Sequence, residues 1–310
     1  MKFSVIIPLY NKSAFLGKAL NSVLSQTYKD YECIIVDDGS TDGSEKIADS
    51  YSAKYKNITV IHQFNSGVAT ARNNGVKVSS GEYVCFLDAD DWWEDDFLYV
   101  VNDIIIKIPN AGIYGTNYYY FKNNKGHLRL DIKTGVFDYF NEYSKRLQMP
   151  LTSSSVCMPK NIFNEMSGFN PKLKLGEDFD LWVRIALKYP TVFINKPLAY
   201  YNQDIPVNQR AVGNLISPEN HFLWNLNYLR NVEENNKDVK FLIDSLRVSN
   251  MLFYYASNLY HDKSKHILEC VNWSKQSFHN KLYYKLPVSL ARLHNCIYRL
   301  GSVIKQNMKN

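Results

Sequence analysis

Residues 3–9 form an apolar, β-branched run that reaches Pro8, which predicts a first buried strand. From Lys12 to Ser25 the period changes. Phe15, Leu16, Ala19, Leu20, Val23 and Leu24 make one helical stripe, with Asn11 and Ser13 as candidate caps. Tyr31 to Val36 reads as a second strand, and a helix follows from about Gly43 to Lys56. A strand at Ile58 to His62, a helix at Val68 to Val78 and a strand at Tyr83 to Leu87 complete a strand–helix alternation with short connections. That order predicts an α/β fold, a mostly parallel sheet flanked by helices. A helix from Phe97 to Ile108 stops at Pro109, and the alternation then breaks down. Ile113 to Phe121 and His127 to Ile132 predict a hairpin around Asn123 to Gly126. A strand near Ser153 to Cys157, a helix from about Asp178 to Lys188 and a strand at Thr191 to Ile194 come next. Beyond Ser217 the pattern is helical with aromatic stripes, so we expect one domain over 1–215 and a helical C-terminal region over 216–310.

Ligands of such sheets bind beyond the carboxyl ends of the strands. Three polar clusters fall there: Pro8 to Asn11, Asp37 to Ser40, and Asp88 to Asp91. The last is the sharpest, because a short apolar strand runs straight into Asp88, Asp90 and Asp91. Gathered carboxylates repel one another and resist leaving water, so folding alone gives no reason to place them together. A divalent cation removes the conflict. Oxygens from Asp88 and Asp90 suit a hard cation that keeps positions open for phosphate. The competing reading is a polar turn capping the helix that starts near Glu94.

Composition narrows this picture little: 45% hydrophobic and 21% charged residues exclude wholesale disorder. Charge narrows it more. The net +6 is uneven, since His261 to Asn310 holds nine Lys or Arg against two acids, giving +7 there and −1 over residues 1–260. A basic tail of this kind fits an anionic surface, lipid or nucleic acid. Cys33, Cys85, Cys157, Cys270 and Cys296 lie far apart without a CxxC pair, which reads as reduced thiols of a cytosolic protein. The apolar N-terminus is too short for a signal peptide, and no apolar run reaches 18 residues.

Five blocks carry the chemistry: Val5-Ile-Ile-Pro-Leu-Tyr-Asn11, Ile35-Val-Asp-Asp-Gly-Ser-Thr-Asp42, Asn65-Ser-Gly-Val-Ala-Thr-Ala-Arg-Asn73, Phe86-Leu-Asp-Ala-Asp-Asp91 and Gly176-Glu-Asp-Phe-Asp-Leu-Trp182. In that order they closely resemble the family 2 glycosyltransferases of the GT-A fold, over roughly residues 2–205. The resemblance implies inverting transfer of a hexosyl or N-acetylhexosaminyl group from a nucleotide-diphosphate donor, a UDP-sugar foremost. The acceptor it implies is a saccharide hydroxyl in surface polysaccharide synthesis (capsule or O-antigen), and the cofactor is Mn2+ or Mg2+.

Roles follow from the resemblance position by position. Asp38 bonds the nucleotide base, or caps the helix from Gly43, a task equally open to Asp42 or Ser40. Pro8 and Tyr10 lie beside the base, unless Tyr10 simply ends its strand. Arg72 faces the nucleotide instead of solvent. Asp88 holds ribose and cation, Ala89 lies along the nucleotide, and Asp90 ligates the cation. Asp178 is the general base, against the alternative of an N-cap; one in-line displacement needs one base and no protein nucleophile. Glu177 and Trp182 stand on the acceptor side, with core packing the alternative for Trp182. The chain departs from the family at Tyr201-Asn-Gln-Asp204, where many members have Tyr-x-x-His; Asp204 then either ligates the cation or does not. Arg210 binds diphosphate or lies on the surface.

Rival classes lack their signatures. A processive synthase normally brings Gln-x-x-Arg-Trp and membrane-spanning helices, and neither is present. A nucleotidyltransferase needs a Gly-rich phosphate loop, yet residues 8–20 contain only Gly17. A non-catalytic nucleotide-sugar-binding protein does not need Asp88, Asp90 and Asp178 intact. At the C-terminus, Leu290, Leu293, Ile297, Leu300 and Ile304 form an apolar helical stripe with Arg292, Arg299 and Lys305 available beside it. Such a helix lies in a lipid interface or packs on the catalytic domain or the second subunit of a homodimer. The membrane reading puts the protein at the inner face of the plasma membrane, with a lipid-linked acceptor and no nucleic-acid partner.

Overall fold

In the computed structural model, residues 2–128, 130–205 and 215–295 are described. Strand β1 (Phe3–Leu9) is buried at all seven positions, which a strand achieves only inside a sheet covered on both faces. Around it run α1 (Ser13–Leu24), β2 (Tyr31–Asp37), α2 (Ser44–Lys54), β3 (Ile58–His62), α3 (Val68–Val78) and β4 (Tyr83–Phe86). The helices turn apolar stripes inward; α1 buries Leu16, Ala19, Leu20 and Val23. Each such aliphatic side chain contributes about 1.5–3 kcal/mol on full burial.

After β4 come β5 (Trp92–Trp93), α4 (Phe97–Lys107), β6 (Ile113–Lys122), β7 (Lys125–Leu128), β8 (Gly135–Phe137), α5 (Tyr139–Arg146), β9 (Val156–Pro159), α6 (Lys160–Glu165), α7 (Glu177–Ala186) and β10 (Thr191–Asn202). One sheet orders them β3-β2-β1-β4-β9-β6-β10-β5, with β7 on β6 and β8 on β10. Pairing is parallel from β3 to β4, and β9 then runs antiparallel to both β4 and β6. Register places the site. Leu9 lies opposite Asp37 and Ile6 opposite Phe86, so Tyr10, Asp38 and Asp88 leave their strands along one edge.

Three sequence expectations change here. The hairpin turns at Asn123 and Asn124, both with positive φ (53° and 57°), so β7 begins at Lys125 and ends at Leu128. Two left-handed residues make the tight turn that matches strand twist, a conformation Asn tolerates. The strand expected from Ser153 starts at Val156, because Ser153–Ser155 wind into a 3-10 turn closed by reciprocal Thr152 and Ser155 bonds. The strand at Thr191 runs on to Asn202 through register shifts around Pro197.

The chain divides into two compact units, one of residues 1–142 and 149–212, the other of residues 143–148 and 213–310. In the second, α8 (Arg230–Asn235), α9 (Lys237–Tyr255), α10 (His261–Glu269) and α11 (Phe278–Tyr283) gather around the buried Val239, Leu242, Ile243 and Met251 face of α9. The Asn236 side chain accepts bonds from the amides of Asp238 and Val239 and starts α9. Leu290 and Leu293 are exposed; Ile297, Leu300, Ile304, Arg299 and Lys305 lie outside the described residues. Among the described residues no helix is long and apolar enough to cross a membrane. Cys33, Cys85 and Cys157 are buried free thiols, and burial pushes Cys33 up to about 12.

Candidate active site

The carboxylate turn after β4 is clamped by the turn before β9 and the end of β10. Ser154 Oγ accepts from the Asp88 amide at 3.1 Å and donates to Asp91 Oδ2 at 2.5 Å. Asp91 Oδ1 accepts from the Asn202 amide at 2.8 Å, and the Trp93 indole donates to the Ser154 carbonyl at 2.6 Å. Asp91 is therefore a buried tie between the ends of β4, β9 and β10. Burial first, then the charges of Asp90 and Asp88, hold its carboxyl well above the ordinary range.

Asp88 and Asp90 stay at the edge, each against a cation. Asp88 Oδ1 accepts from the Arg72 guanidinium at 2.7 Å, and Asp90 Oδ2 from the Lys12 ammonium at 2.6 Å. Arg72 is 3% exposed, not solvated; it bridges Asp88 to Glu177 (2.9 Å) and sits over the Phe169 ring. Burial opposes its charge, but Asp88 and Glu177 outweigh burial and raise its pKa. Its buried Nε has no partner among the described residues.

Gly176, at φ 78°, makes the left-handed step that starts α7. Glu177 is thereby turned to Arg72. Asp178 Oδ1 accepts from the amide of Phe179, the next residue, at 2.7 Å. Loss of hydration, then the neighbouring Glu177, pushes Asp178 up to about 7, with Arg72 pulling the other way. A carboxylate poised near neutrality is suited to take a proton. Trp182, by contrast, is 0% exposed and packs edge-on to Phe169. It offers a ligand no surface, so its acceptor-side reading gives way to core packing.

On the other flank Tyr10 is 48% exposed beside buried Pro8, leaving a ring face free for a flat ligand. Asp38 does not cap α2, whose N-cap is Gly43; the residue before it, Asp42, accepts from the Ser44 amide. Bonds from Ser44 and Ser13 outweigh partial burial and hold Asp42 down to about 2. Asp38 accepts from Gln63 Nε2 (2.8 Å) and from the amides of Ser66 (2.7 Å) and Gly67 (2.9 Å). It fixes the turn before α3 and keeps about one of its four lone-pair directions for a ligand. Ala89 is buried between the two edge carboxylates. Gly39, at φ 77°, stands where a Cβ would meet the Asn65 amide at 3.1 Å, which explains the glycine beside Asp38.

Asp204 is corrected as a ligand candidate. Both its oxygens accept amides of the β6–β7 turn, Asn123 at 2.8 Å and Asn124 at 3.0 Å. Arg210 lies outside the described residues. Tyr201, from the same stretch, does face the site: burial, then Asp91, Asp88 and Asp178, raise its phenol. Sequence reading missed Lys12 and Ser154. Lys12 follows the Pro8-to-Asn11 block directly, and the Thr152-to-Ser155 hydroxyl run was the other visible signal.

Among the described residues no three His, Cys, Asp or Glu side chains close around a point as a protein-only metal cage. A hard cation shared with a diphosphate needs only one or two carboxylates. Asp88 and Asp90 supply that set, and burial, then Asp88 against the pull of Lys12, raises Asp90. These oxygen donors fit Mn2+ or Mg2+ bound with phosphate.

Comparison with known proteins gives the family and the fold. The sequence model described as "Glycosyl transferase family 2" matches residues 4–169, more than half of the chain. Glycosyltransferase GlyA of Streptococcus pneumoniae is 34% identical over 212 residues, 64% of this chain and 30% of that protein. Chondroitin synthase of Escherichia coli is 31% identical over 226 residues, 71% of this chain and 31% of the synthase. The chain thus spans about a third of the length of these relatives. A crystal structure of Staphylococcus aureus TarS 1-349 in complex with UDP-GlcNAc superposes with a TM-score of 0.64 at 20% identity, over 93% of this chain and 77% of that one. At that identity the likeness speaks for the GT-A fold alone.

Proposed function

The chain belongs to glycosyl transferase family 2, and on that premise we propose that it moves a sugar from a UDP-sugar donor to a saccharide hydroxyl with inversion. The observation that carries this reading is Asp178: a carboxylate pushed to about 7 and linked through Glu177 and Arg72 to Asp88 on the same sheet edge. The uridine preference draws on the likeness to TarS, which is solved with UDP and with UDP-GlcNAc.

In this reading Pro8 and Tyr10 flank the base, and Asp38 offers its remaining lone pair to the imide N–H. Asp88 faces the ribose. Asp178 removes the acceptor proton as the hydroxyl oxygen attacks the anomeric carbon and the bond to the diphosphate oxygen breaks. One displacement inverts the centre, so no covalent sugar–enzyme species forms. A cation on Asp88 and Asp90 supplies Lewis-acid relief of the charge on the departing diphosphate. Arg72 holds Asp88 and Glu177 in place, so the donor and base halves of the site share one rigid pivot.

The relation to chondroitin synthase supports a polysaccharide product, and a lipid-linked acceptor completes the proposal. Exposed Leu290 and Leu293 with Lys285 and Arg292 nearby support peripheral contact with an anionic membrane face. Incubation with UDP-, GDP- and dTDP-sugars plus Mn2+ tests the donor: release or transfer from UDP-sugars, lost in Asp178→Asn and Asp90→Asn, is the expected result. Equal turnover by the Asp178→Asn protein would remove Asp178 as base. Flotation with anionic vesicles, with and without residues 281–310, tests the membrane contact; equal soluble fractions count against it.

A further inference from the structure

Lys12 is the one basic side chain bonded to Asp90 in the described structure, at 2.6 Å, and the pair is mostly closed to solvent, with side chains 16% and 14% exposed. Its backbone is held as firmly as its head. The Lys12 amide donates to Ser44 Oγ (2.9 Å), the Asn11 amide to Ser40 Oγ (3.1 Å) and the Ser13 amide to Asp42 Oδ2 (3.0 Å). The Thr41 amide in turn donates to Asn11 Oδ1 at 2.8 Å. Asn11 is left-handed, at φ 50°, which turns the chain so that the next residue leaves β1 towards the carboxylates. A flexible surface lysine needs none of this.

An ammonium and a divalent cation cannot share one carboxylate oxygen. Both are positive, and at a few ångströms in a partly desolvated site they repel strongly. Lys carries three donors on a flexible stem and acts as a point charge, so it can transfer its bonds to phosphate oxygens. Asp204 is held by the β6–β7 turn, whereas Lys12 is the basic side chain set directly on Asp90 among the described residues.

We propose that Lys12 is an internal counter-ion that holds the cation's place on Asp90, so that a divalent cation enters only with the nucleoside diphosphate, whose oxygens take over the ammonium. This rests on the cation-and-diphosphate reading above. Binding of Mn2+ to the full chain, followed by electron paramagnetic resonance without any acceptor or turnover, tests it. Wild-type protein is expected to bind Mn2+ weakly alone and tightly with UDP. Lys12→Met should bind Mn2+ alone about tenfold more tightly and Mn2+ with UDP about tenfold more weakly, an exchange of one charged partner in each state. Lys12→Gln gives the same pattern with a polar side chain, and thermal melting confirms that both variants fold. Asp90→Asn should abolish the tighter binding of Mn2+ alone in the Lys12→Met background. Unchanged or weaker Mn2+ binding in Lys12→Met overturns the proposal while leaving the cation reading intact. Failure of wild type to bind Mn2+ even with UDP removes the cation reading, and this inference with it.

Discussion

Each unit of the chain buries an arginine among carboxylates, and the two arrangements have opposite balances. In the helical unit Arg247 grips Glu233 with two nitrogens (2.6 and 2.8 Å) and reaches Asp244 at 3.3 Å, while Lys240 bonds Asp244 at 2.7 Å. Two cations meet two carboxylates, and Glu233 and Asp244 are 7% and 1% exposed. In the catalytic unit Arg72 and Lys12 face four acids, Asp88, Asp90, Glu177 and Asp178. There Asp88 is 29% exposed. A balanced cluster fastens helices and leaves no charge over. An overcharged cluster open at one side stores repulsion that a cation and a diphosphate can relieve. Buried arginine alone is thus no mark of function; surplus charge beside an opening is.

The contrast breaks first, if it breaks at all, at the base. Asp178→Asn keeps shape and removes the proton acceptor, so kcat should fall by about 10²–10⁴, with Mn2+ and UDP binding little changed. Asp244→Asn, in the balanced cluster, should leave kcat within a factor of about two while lowering stability, because its partners lose a charge they need. Steady-state kinetics on both proteins decide the matter. Comparable kcat losses would mean that charge surplus does not single out the reactive cluster.

Removing the arginines sharpens the same point in stability. Arg247→Ala strands two sealed carboxylates and should cost about 3–5 kcal/mol in urea unfolding. Arg72→Ala leaves Asp88 and Glu177 within reach of water and should cost about 1–3 kcal/mol, yet only this variant should lose UDP binding. Equal destabilisation would show that the opening beside Asp88 does not matter.

Apart from Trp92–Trp93, the elements from residue 3 to residue 107 were legible because continuous apolar runs alternate there with 3.6-residue stripes long enough to read. Trp92–Trp93, Gly135–Phe137 and Lys160–Glu165 are too short to show a period, and they went unpredicted. The β6–β7 turn fell within the expected Asn123 to Gly126 stretch, but it closes on Asn123 and Asn124, so β7 starts at Lys125 rather than His127. In the site, carboxylates at strand ends announce themselves by clashing with the apolar runs before them. Lys12 and Ser154 do not. Their partners lie 78 and 66 residues away, and only the folded sheet joins them. Asp204 misled for the same reason, since its turn partners are 81 and 80 residues off.

Acid should act on the two units with opposite sign. Asp178 sits near 7 in the fold against about 3.9 when unfolded. The fold therefore binds its proton more tightly, and stability falls as pH rises from about 4 to about 7. Asp178→Asn should accordingly gain stability over wild type across that window, while wild-type kcat rises through about pH 7 as the base ionises. His221, buried beside Phe222, Trp224 and Tyr254, is pushed down to about 4 by loss of hydration. Its stabilisation is whole above about 6.5 and is lost as pH falls towards 4. His221→Phe should gain over wild type as pH falls. Urea midpoints of the three proteins from pH 4 to 8 give the slopes, and slopes of one sign would refute the opposition.

The smallest effect belongs to a carboxylate in neither cluster. Asp204 accepts two turn amides at the surface, and Asp204→Ala removes both bonds where water can replace them. The expected cost is about 0.5–1.5 kcal/mol, with Mn2+ and UDP affinity unchanged. If Asp204→Ala instead weakened Mn2+ binding with UDP tenfold, Asp204 would have to leave the turn and join Asp88 and Asp90. The surplus of the catalytic cluster would then be greater than this structure shows. Lys12 would then not be the sole side chain set to exchange with the cation and diphosphate, so this smallest measurement bears directly on the assignment made for Lys12.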